Sequence, residues 1–250
     1  MKNKFFNKPF ANIYLKPSKK SEVVSQILYG EKFKIIFQKK NWAKIKTNFD
    51  NYSGFINIMT FKENFSPLKK IFKNKSRIFK KKKNKFLKTN NFLYYGSGIE
   101  IKDQTKNYLE FEKNNWIRKK DTKKINHLEK NFNKVLKMFK NCKYLWGGKT
   151  SNGIDCSALV QIYFYYNRVF FPRDTSDQII FCRKKINNKF SKGDIIFWKG
   201  HVGVCLDKSK FIHAYGPRKK VVIMKINFAI NLIQRTAKLK VKKISNIKNY

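Results

Sequence analysis

Near Ile125 the apolar residues of this chain change their period, and that change limits what each part can fold into. Upstream, Phe33, Ile35 and Phe37 alternate with polar neighbours, as a half-buried strand requires. Downstream, Leu128, Phe132, Val135, Leu136 and Phe139 recur at helical spacing, with lysines and asparagines between them. After Trp146-Gly147-Gly148 and a turn at Asn152-Gly153, a second apolar run extends from Cys156 to about Tyr166. It reads as a buried helix whose bulk lies in Leu159, Val160, Tyr163 and Phe164. Strands are expected next, at Asp194–Trp198, Val202–Leu206, Phe211–Ala214 and Val221–Ile226. A helix pair followed by an antiparallel sheet is an α+β architecture.

The upstream part carries an internal repeat. Leu28-Tyr29-Gly30-Glu31-Lys32-Phe33-Lys34-Ile35 returns as Tyr94-Tyr95-Gly96-Ser97-Gly98-Ile99-Glu100-Ile101, and Asn41-Trp42-Ala43-Lys44-Ile45 aligns with Asn107-Tyr108-Leu109-Glu110-Phe111 at the same offset. Each copy opens on an apolar pair (Ile13-Tyr14, Ile78-Phe79) and closes on a short strand (Gly54-Phe55-Ile56, Trp116-Ile117). Short strands at turn-punctuated spacing point to two small β-barrels in tandem. The expected domains are therefore 1–65 and 66–122 as barrels and 123–250 as the α+β domain. The run Lys80-Lys81-Lys82-Lys83-Asn84-Lys85 falls where a solvated first loop of the second barrel is expected.

The chain has 58 Lys+Arg against 15 Asp+Glu, a formal charge of +43. Such a field favours polyanions, so electrostatic contact with anionic polymers stays open. The lysines run through the whole chain, as they would under an AT-rich codon bias, and no specific nucleic-acid partner is expected. Four cysteines (Cys142, Cys156, Cys182, Cys205) show no CxxC spacing, which favours reduced thiols over a disulfide framework. With only three histidines, a metal site would be poor in ligands, and neither metal nor cofactor is expected. No apolar run reaches the roughly 20 residues of a spanning helix. Met1-Lys2-Asn3-Lys4-Phe5-Phe6 lacks a following apolar stretch. The expectation is cytoplasmic, with export to the periplasm open.

The chemistry concentrates in Tyr144-Leu145-Trp146-Gly147-Gly148 and Gly153-Ile154-Asp155-Cys156-Ser157. The pattern places Cys156 in the first turn of a buried helix, where free N–H groups and the helix dipole stabilise a thiolate and an oxyanion. Its partners are sought in Gly200-His201-Val202-Gly203-Val204 and Phe211-Ile212-His213-Ala214. If Lys208-Ser209-Lys210 forms a three-residue turn, Cys205 pairs with His213, and His213 shares a face with Cys205, Gly203 and His201. A two- or four-residue turn would separate them. Gly200 and Gly203 are expected to leave room for a substrate chain beside His201.

Tyr-x-Trp-Gly-Gly, Asp-Cys-Ser, Phe171-Pro172-Arg173-Asp174-Thr175-Ser176-Asp177-Gln178, Gly193-Asp194-Ile195-Ile196-Phe197-Trp198, His-Val-Gly and Ile-His-Ala follow one another in order. In this the stretch 128–226 resembles the NlpC family of papain-like cysteine peptidases. Segments 10–62 and 75–120 resemble bacterial SH3-like domains. The resemblance implies Cys156 as nucleophile, His201 as base and His213 as its orienter. It further implies hydrolysis of the γ-D-glutamyl bond to a diamino acid in murein stem peptides, with L-Ala-γ-D-Glu-diaminopimelate as the expected substrate. Asp155 helped by Ser157 would bind the substrate's free amine, Tyr144 would lie near the oxyanion, and Arg173 would meet a substrate carboxylate or form an ion pair. Ala158 stands where the family usually has Gly. The alternatives are a thiol acyltransferase or amidase on the same fold, or a non-catalytic protein that binds wall or polyanion.

Overall fold

A computed structural model describes residues 4–57, 61–186 and 189–250. Of the six N-terminal residues read for an export signal, Met1, Lys2 and Asn3 lie outside the described residues. The chain forms two compact units, Met1–Leu128 and Glu129–Tyr250.

The first unit is built of antiparallel strands. Lys4–Phe6, Phe10–Tyr14, Val23–Leu28, Lys32–Lys39, Trp42–Thr47, Ser53–Asn57 and Phe61–Lys62 form one sheet. It closes on Phe6, Ile13, Ile27, Phe33, Ala43, Ile45 and Ile56, each buried aliphatic or aromatic side chain contributing about 1.5–3 kcal/mol. The alternation expected at Phe33, Ile35 and Phe37 breaks after Ile35. The pairing with Trp42–Thr47 shifts by a residue between Ile35 and Phe37, and Phe37 is left 53% exposed. A bulge of this kind flips the face of every later side chain.

Residues 69–124 form a five-stranded and a three-stranded antiparallel sheet. Ile71, Ile78, Leu93, Ile99, Leu109, Phe111 and Ile117 pack between them. The lysine run is not a loop. Lys80, Lys81 and Lys82 end the strand Lys75–Lys82, which pairs with Lys85–Tyr94 around a tight turn at Lys83-Asn84. Lys83 supplies the positive φ of that turn.

The second unit is α+β. Helices α1 (Phe132–Lys137), α2 (Cys156–Asn167), α3 (Thr175–Phe181) and α4 (Ile226–Ala237) accompany a five-stranded antiparallel sheet. Its strand order is Lys220–Lys225, Lys210–Tyr215, His201–Cys205, Asp194–Trp198, Lys243–Asn246. The helical periodicity that began at Leu128 yields only six residues of helix, because Asn131 caps α1 by accepting from the Lys134 amide and Leu128 remains 58% exposed. Helix α3, helix α4 and the edge strand Lys243–Asn246 have no counterpart in the expected elements. Helix α2 is buried along nearly its whole length and packs on the His201–Cys205 strand. Among the described residues no helix is long and apolar enough to cross a membrane.

Candidate active site

Asp155 caps α2. Its backbone is extended, and its Oδ1 accepts from the Ala158 amide at 2.8 Å, which fixes Cys156 as the first helical residue. The carboxylate does more than cap. Oδ1 also accepts from Arg173 Nη1 (3.0 Å) and Ser157 Oγ (3.1 Å), and Oδ2 from Arg173 Nη2 (2.6 Å) and the Gly147 amide (3.0 Å). Ser157 Oγ in turn accepts from Arg173 Nη1 at 2.8 Å. Asp155, Ser157 and Arg173 are 5%, 5% and 2% exposed.

Five donors meet a carboxylate that offers about four lone-pair sites. Both Asp155 oxygens are thus engaged within the free chain, and Ser157 shares in that network. Arg173 forms the expected ion pair, with Asp155. Gln178, fully buried, ties α3 to α2 by donating Nε2 to the Ser157 and Pro172 carbonyls.

Cys156 is 4% exposed. Three groups favour its anion: the Val202 backbone, the Thr175 hydroxyl 3.9 Å from Sγ, and the Arg173 charge. Burial and the Asp155 carboxylate oppose them more strongly, and the thiol is pushed up to about 11. Burial of the sulfur and the Asp155 carboxylate thus work against the thiolate expected from the helix terminus. Tyr144, half-buried, feels the same surroundings. Burial, then Cys156, then Asp155 push its hydroxyl up to about 12, so it stays a donor.

The histidines lie on neighbouring strands. Val204 pairs with Ile212 and Cys205 with Phe211, so continuation of the ladder sets Gly203 opposite His213, not Cys205 opposite it as expected. The turn still contains three residues, but it is Asp207-Lys208-Ser209. Asp207 Oδ1 accepts from the Ser209 and Lys210 amides at 2.8 and 2.7 Å and draws itself out of the strand. The shift leaves parity unchanged, and His201 and His213 share a face. His201 Nε2 and His213 Nδ1 are 2.8 Å apart.

The room assigned to Gly203 is already occupied. A Cβ there would meet Phe211 Cζ at 2.3 Å and His213 Cβ at 2.8 Å. Gly200 does face open space, with φ +70° in the turn before His201.

Aromatic rings surround the pair. Tyr215 stacks on His213 at 4.8 Å, and Trp198 lies 5.6 Å from His201. His213 is wholly buried, and its pKa lies well below the ordinary histidine range, first from burial and then from His201. His201 keeps a partial opening to solvent, yet the surrounding protein lowers it to about 4.

The arrangement brings together Cys156, Tyr144, Asp155, Ser157 and Arg173 at the start of α2. The histidine pair lies on the two neighbouring strands against which α2 packs, and Val202, next to His201, touches the sulfur. Thr175 and the Val202 backbone were not among the expected site residues. Thr175 lay within a quoted motif, but nothing in its spacing says that α3 turns its hydroxyl toward the sulfur. The Val202 contact belongs to the backbone and leaves no mark in residue type.

A buried cysteine at a helix start, packed on a sheet that carries a hydrogen-bonded histidine pair, is an arrangement in which a thiol nucleophile and an imidazole base could work together. Residues 141–236 match the family model NlpC/P60 family, and residues 9–57 match Bacterial SH3 domain. A probable endopeptidase NlpC homolog of Haemophilus influenzae is 40% identical over 77 residues, which are 29% of this chain and 41% of that protein. A gamma-D-glutamyl-L-lysine dipeptidyl-peptidase of Bacillus subtilis is 30% identical over 100 residues, 37% of this chain and 34% of that protein. The chain thus spans well under half the length of these relatives. The crystal structure of an NlpC/P60 family protein from Bacillus cereus shares the fold at TM-score 0.77 and 17% identity, covering 90% of this chain and 94% of that one.

Proposed function

We propose that the protein is a cysteine peptidase that hydrolyses the γ-D-glutamyl bond to a diamino acid in peptidoglycan stem peptides, with L-Ala-γ-D-Glu-diaminopimelate as substrate. The observation that carries this reading is the 2.8 Å contact between His201 Nε2 and His213 Nδ1. It occupies one nitrogen of His201 and leaves Nδ1 as its proton acceptor. For that, the shared proton resides on His201 Nε2, and His213 carries its own proton on Nε2. That atom is buried without a partner among the described residues, an arrangement that costs about 1–3 kcal/mol. The substrate end of the argument comes from the family's reaction and from the name of the Bacillus subtilis relative.

In the resting site both partners are neutral, since the thiol lies near 11 and the imidazole near 4. Proton transfer from Sγ to His201 Nδ1 accompanies attack of sulfur on the γ-glutamyl carbonyl carbon, and His213 Nδ1 accepts a hydrogen bond from the imidazolium. Free amides at the start of α2 and the Tyr144 hydroxyl are the donors for the oxyanion. Collapse breaks the C–N bond, and His201 returns the proton to the departing amine. Water, deprotonated by His201, then hydrolyses the thioester and regenerates the thiol. Asp155, Ser157 and Arg173 are positioning residues that hold the start of α2.

Incubation of the purified chain with L-Ala-γ-D-Glu-diaminopimelate, followed by mass spectrometry, tests the reading. Release of L-Ala-γ-D-Glu and diaminopimelate, lost in Cys156→Ala, is expected. An intact tripeptide, or equal release by Cys156→Ala, would refute it.

A further inference from the structure

The strongest unassigned feature lies in the first unit. Asn107, Tyr108, Arg118, Lys119 and Lys120 line an open cavity of about 510 Å³. Three of the five residues are cationic, and no carboxylate lines the cavity. No ion pair joins Arg118, Lys119 or Lys120 to an acid among the described residues. The acid next in sequence, Asp121, is buried and turned to Ser76 Oγ at 2.6 Å and Lys73 Nζ at 3.3 Å, so it does not neutralise them.

The cavity wall is held in place before any ligand arrives. Tyr108 and Arg118 are cross-strand partners. The Arg118 guanidinium lies 5.3 Å from the centre of the Phe79 ring, and Tyr108 is stacked on Phe86 at 3.9 Å. The Lys119 amide donates to the Asn107 carbonyl at 2.9 Å, which joins the two segments at the cavity. A planar guanidinium held over a ring matches phosphate oxygens with a fork that a lysine ammonium does not offer. The Tyr108 hydroxyl and the Asn107 amide add neutral donors.

We infer that this cavity binds a phosphate-bearing anion, with Arg118 as its fork and Lys119 and Lys120 as its counter-charges. The volume exceeds the needs of one inorganic ion, so a phosphate ester with a small organic group also fits. The inference does not depend on the peptidase reading.

The test is calorimetric titration of the full chain with inorganic pyrophosphate and, separately, with glycerol 3-phosphate, both at one fixed ionic strength. Because the whole chain is basic, the control must match the loss of charge. The triple variant Arg118→Gln, Lys119→Gln, Lys120→Gln is compared with Lys208→Gln, Lys238→Gln, Lys240→Gln, exposed positions of the other unit. One saturable site is expected, weakened about tenfold or more by the cavity variant and less than about twofold by the control. Arg118→Lys keeps the charge and loses the fork, so it is expected to weaken binding by a smaller factor, and it serves alone if the triple variant does not fold. Saturation by pyrophosphate assigns the site to phosphate groups in general, and saturation by glycerol 3-phosphate alone assigns it to esters. Absence of saturation by either, equal weakening in cavity and control variants, or an Arg118→Lys affinity equal to the parent overturns the inference.

Discussion

The two halves of the candidate site solve the problem of buried polarity in opposite ways. At the start of α2, the Asp155 carboxylate is matched by five donors and a full guanidinium charge. At the histidine pair, one hydrogen bond serves two rings, aromatic side chains pack around them, and one nitrogen has no partner among the described residues. Removing part of the first half strands a charge, whereas removing part of the second strands only a dipole. The first half therefore suits holding shape and the second suits the proton movement proposed above, and each can be tested against the other.

The largest effect should fall on turnover. Cys156→Ser and His201→Ala are each expected to lower kcat/KM by about a thousandfold or more, with the double variant little worse than either, because nucleophile and base act as one unit. Denaturant midpoints of both variants should stay near that of the parent. A double variant that multiplies the single losses would break the assignment of one shared step.

Arg173→Ala should act on the fold. Breaking a buried ion pair leaves an uncompensated carboxylate and costs about 3–5 kcal/mol, read from urea unfolding. A loss under about 1 kcal/mol, the scale of an exposed pair, would show that the cluster does not carry its charge in the dry interior.

His213→Ala should be intermediate, lowering kcat about ten- to a hundredfold within the usual range for acid–base assistance. His213→Gln, which can still accept from His201, should recover part of it. Equal loss in both variants would mean that His213 acts through packing alone.

The pH dependence of stability follows from the same contrast. His201 falls from 6.5 to about 4 in the folded chain, so stability from its neutral ring is complete above pH 6.5 and is lost as pH falls through 4. The thiol moves the other way, from 9.0 to about 11, so its contribution is complete below pH 9 and is lost as pH rises through 11. His201→Ala should flatten the acid limb of the profile, and an unchanged limb would point to carboxylates instead. The smallest effect is expected in labelling. At neutral pH, iodoacetamide should reach Cys156 slowly, yet ahead of Cys182 and Cys205. Those two are also buried and raised, to about 11 and about 12, but lack the start of a helix beside them.

How much of this was legible in residue order depends on the distance over which a feature is determined. The start of α2 could be read locally, because an N-cap acid, a cysteine and an apolar run lie within a few residues. The shared face of the histidines was also legible, since parity survives a shift of register by two. The register itself was not, because the Asp207 side chain captures two amides and moves the turn by one residue. The hydrogen-bond partners of Asp155 were not legible for a related reason. Its partners are Gly147 and Arg173, eight and eighteen residues away, and only their convergence shows the carboxylate to be filled. Helix α4 buries one face through Ile226, Ala229 and Ile233 while Phe228 stays exposed, and the short stretch Lys243–Asn246 becomes a strand because Asp194–Trp198 offers it an edge.

The burial of Cys156 has a consequence for durability. Peroxide reacts with the sulfur anion far faster than with the thiol, and a sulfur near 11 is almost entirely protonated at neutral pH. With no second cysteine bonded to it, Cys156 has no disulfide to shelter in. Its protection against oxidation comes instead from the dry site that keeps its proton on, so shelf life in aerated buffer should shorten with any variant that lets water in beside Thr175.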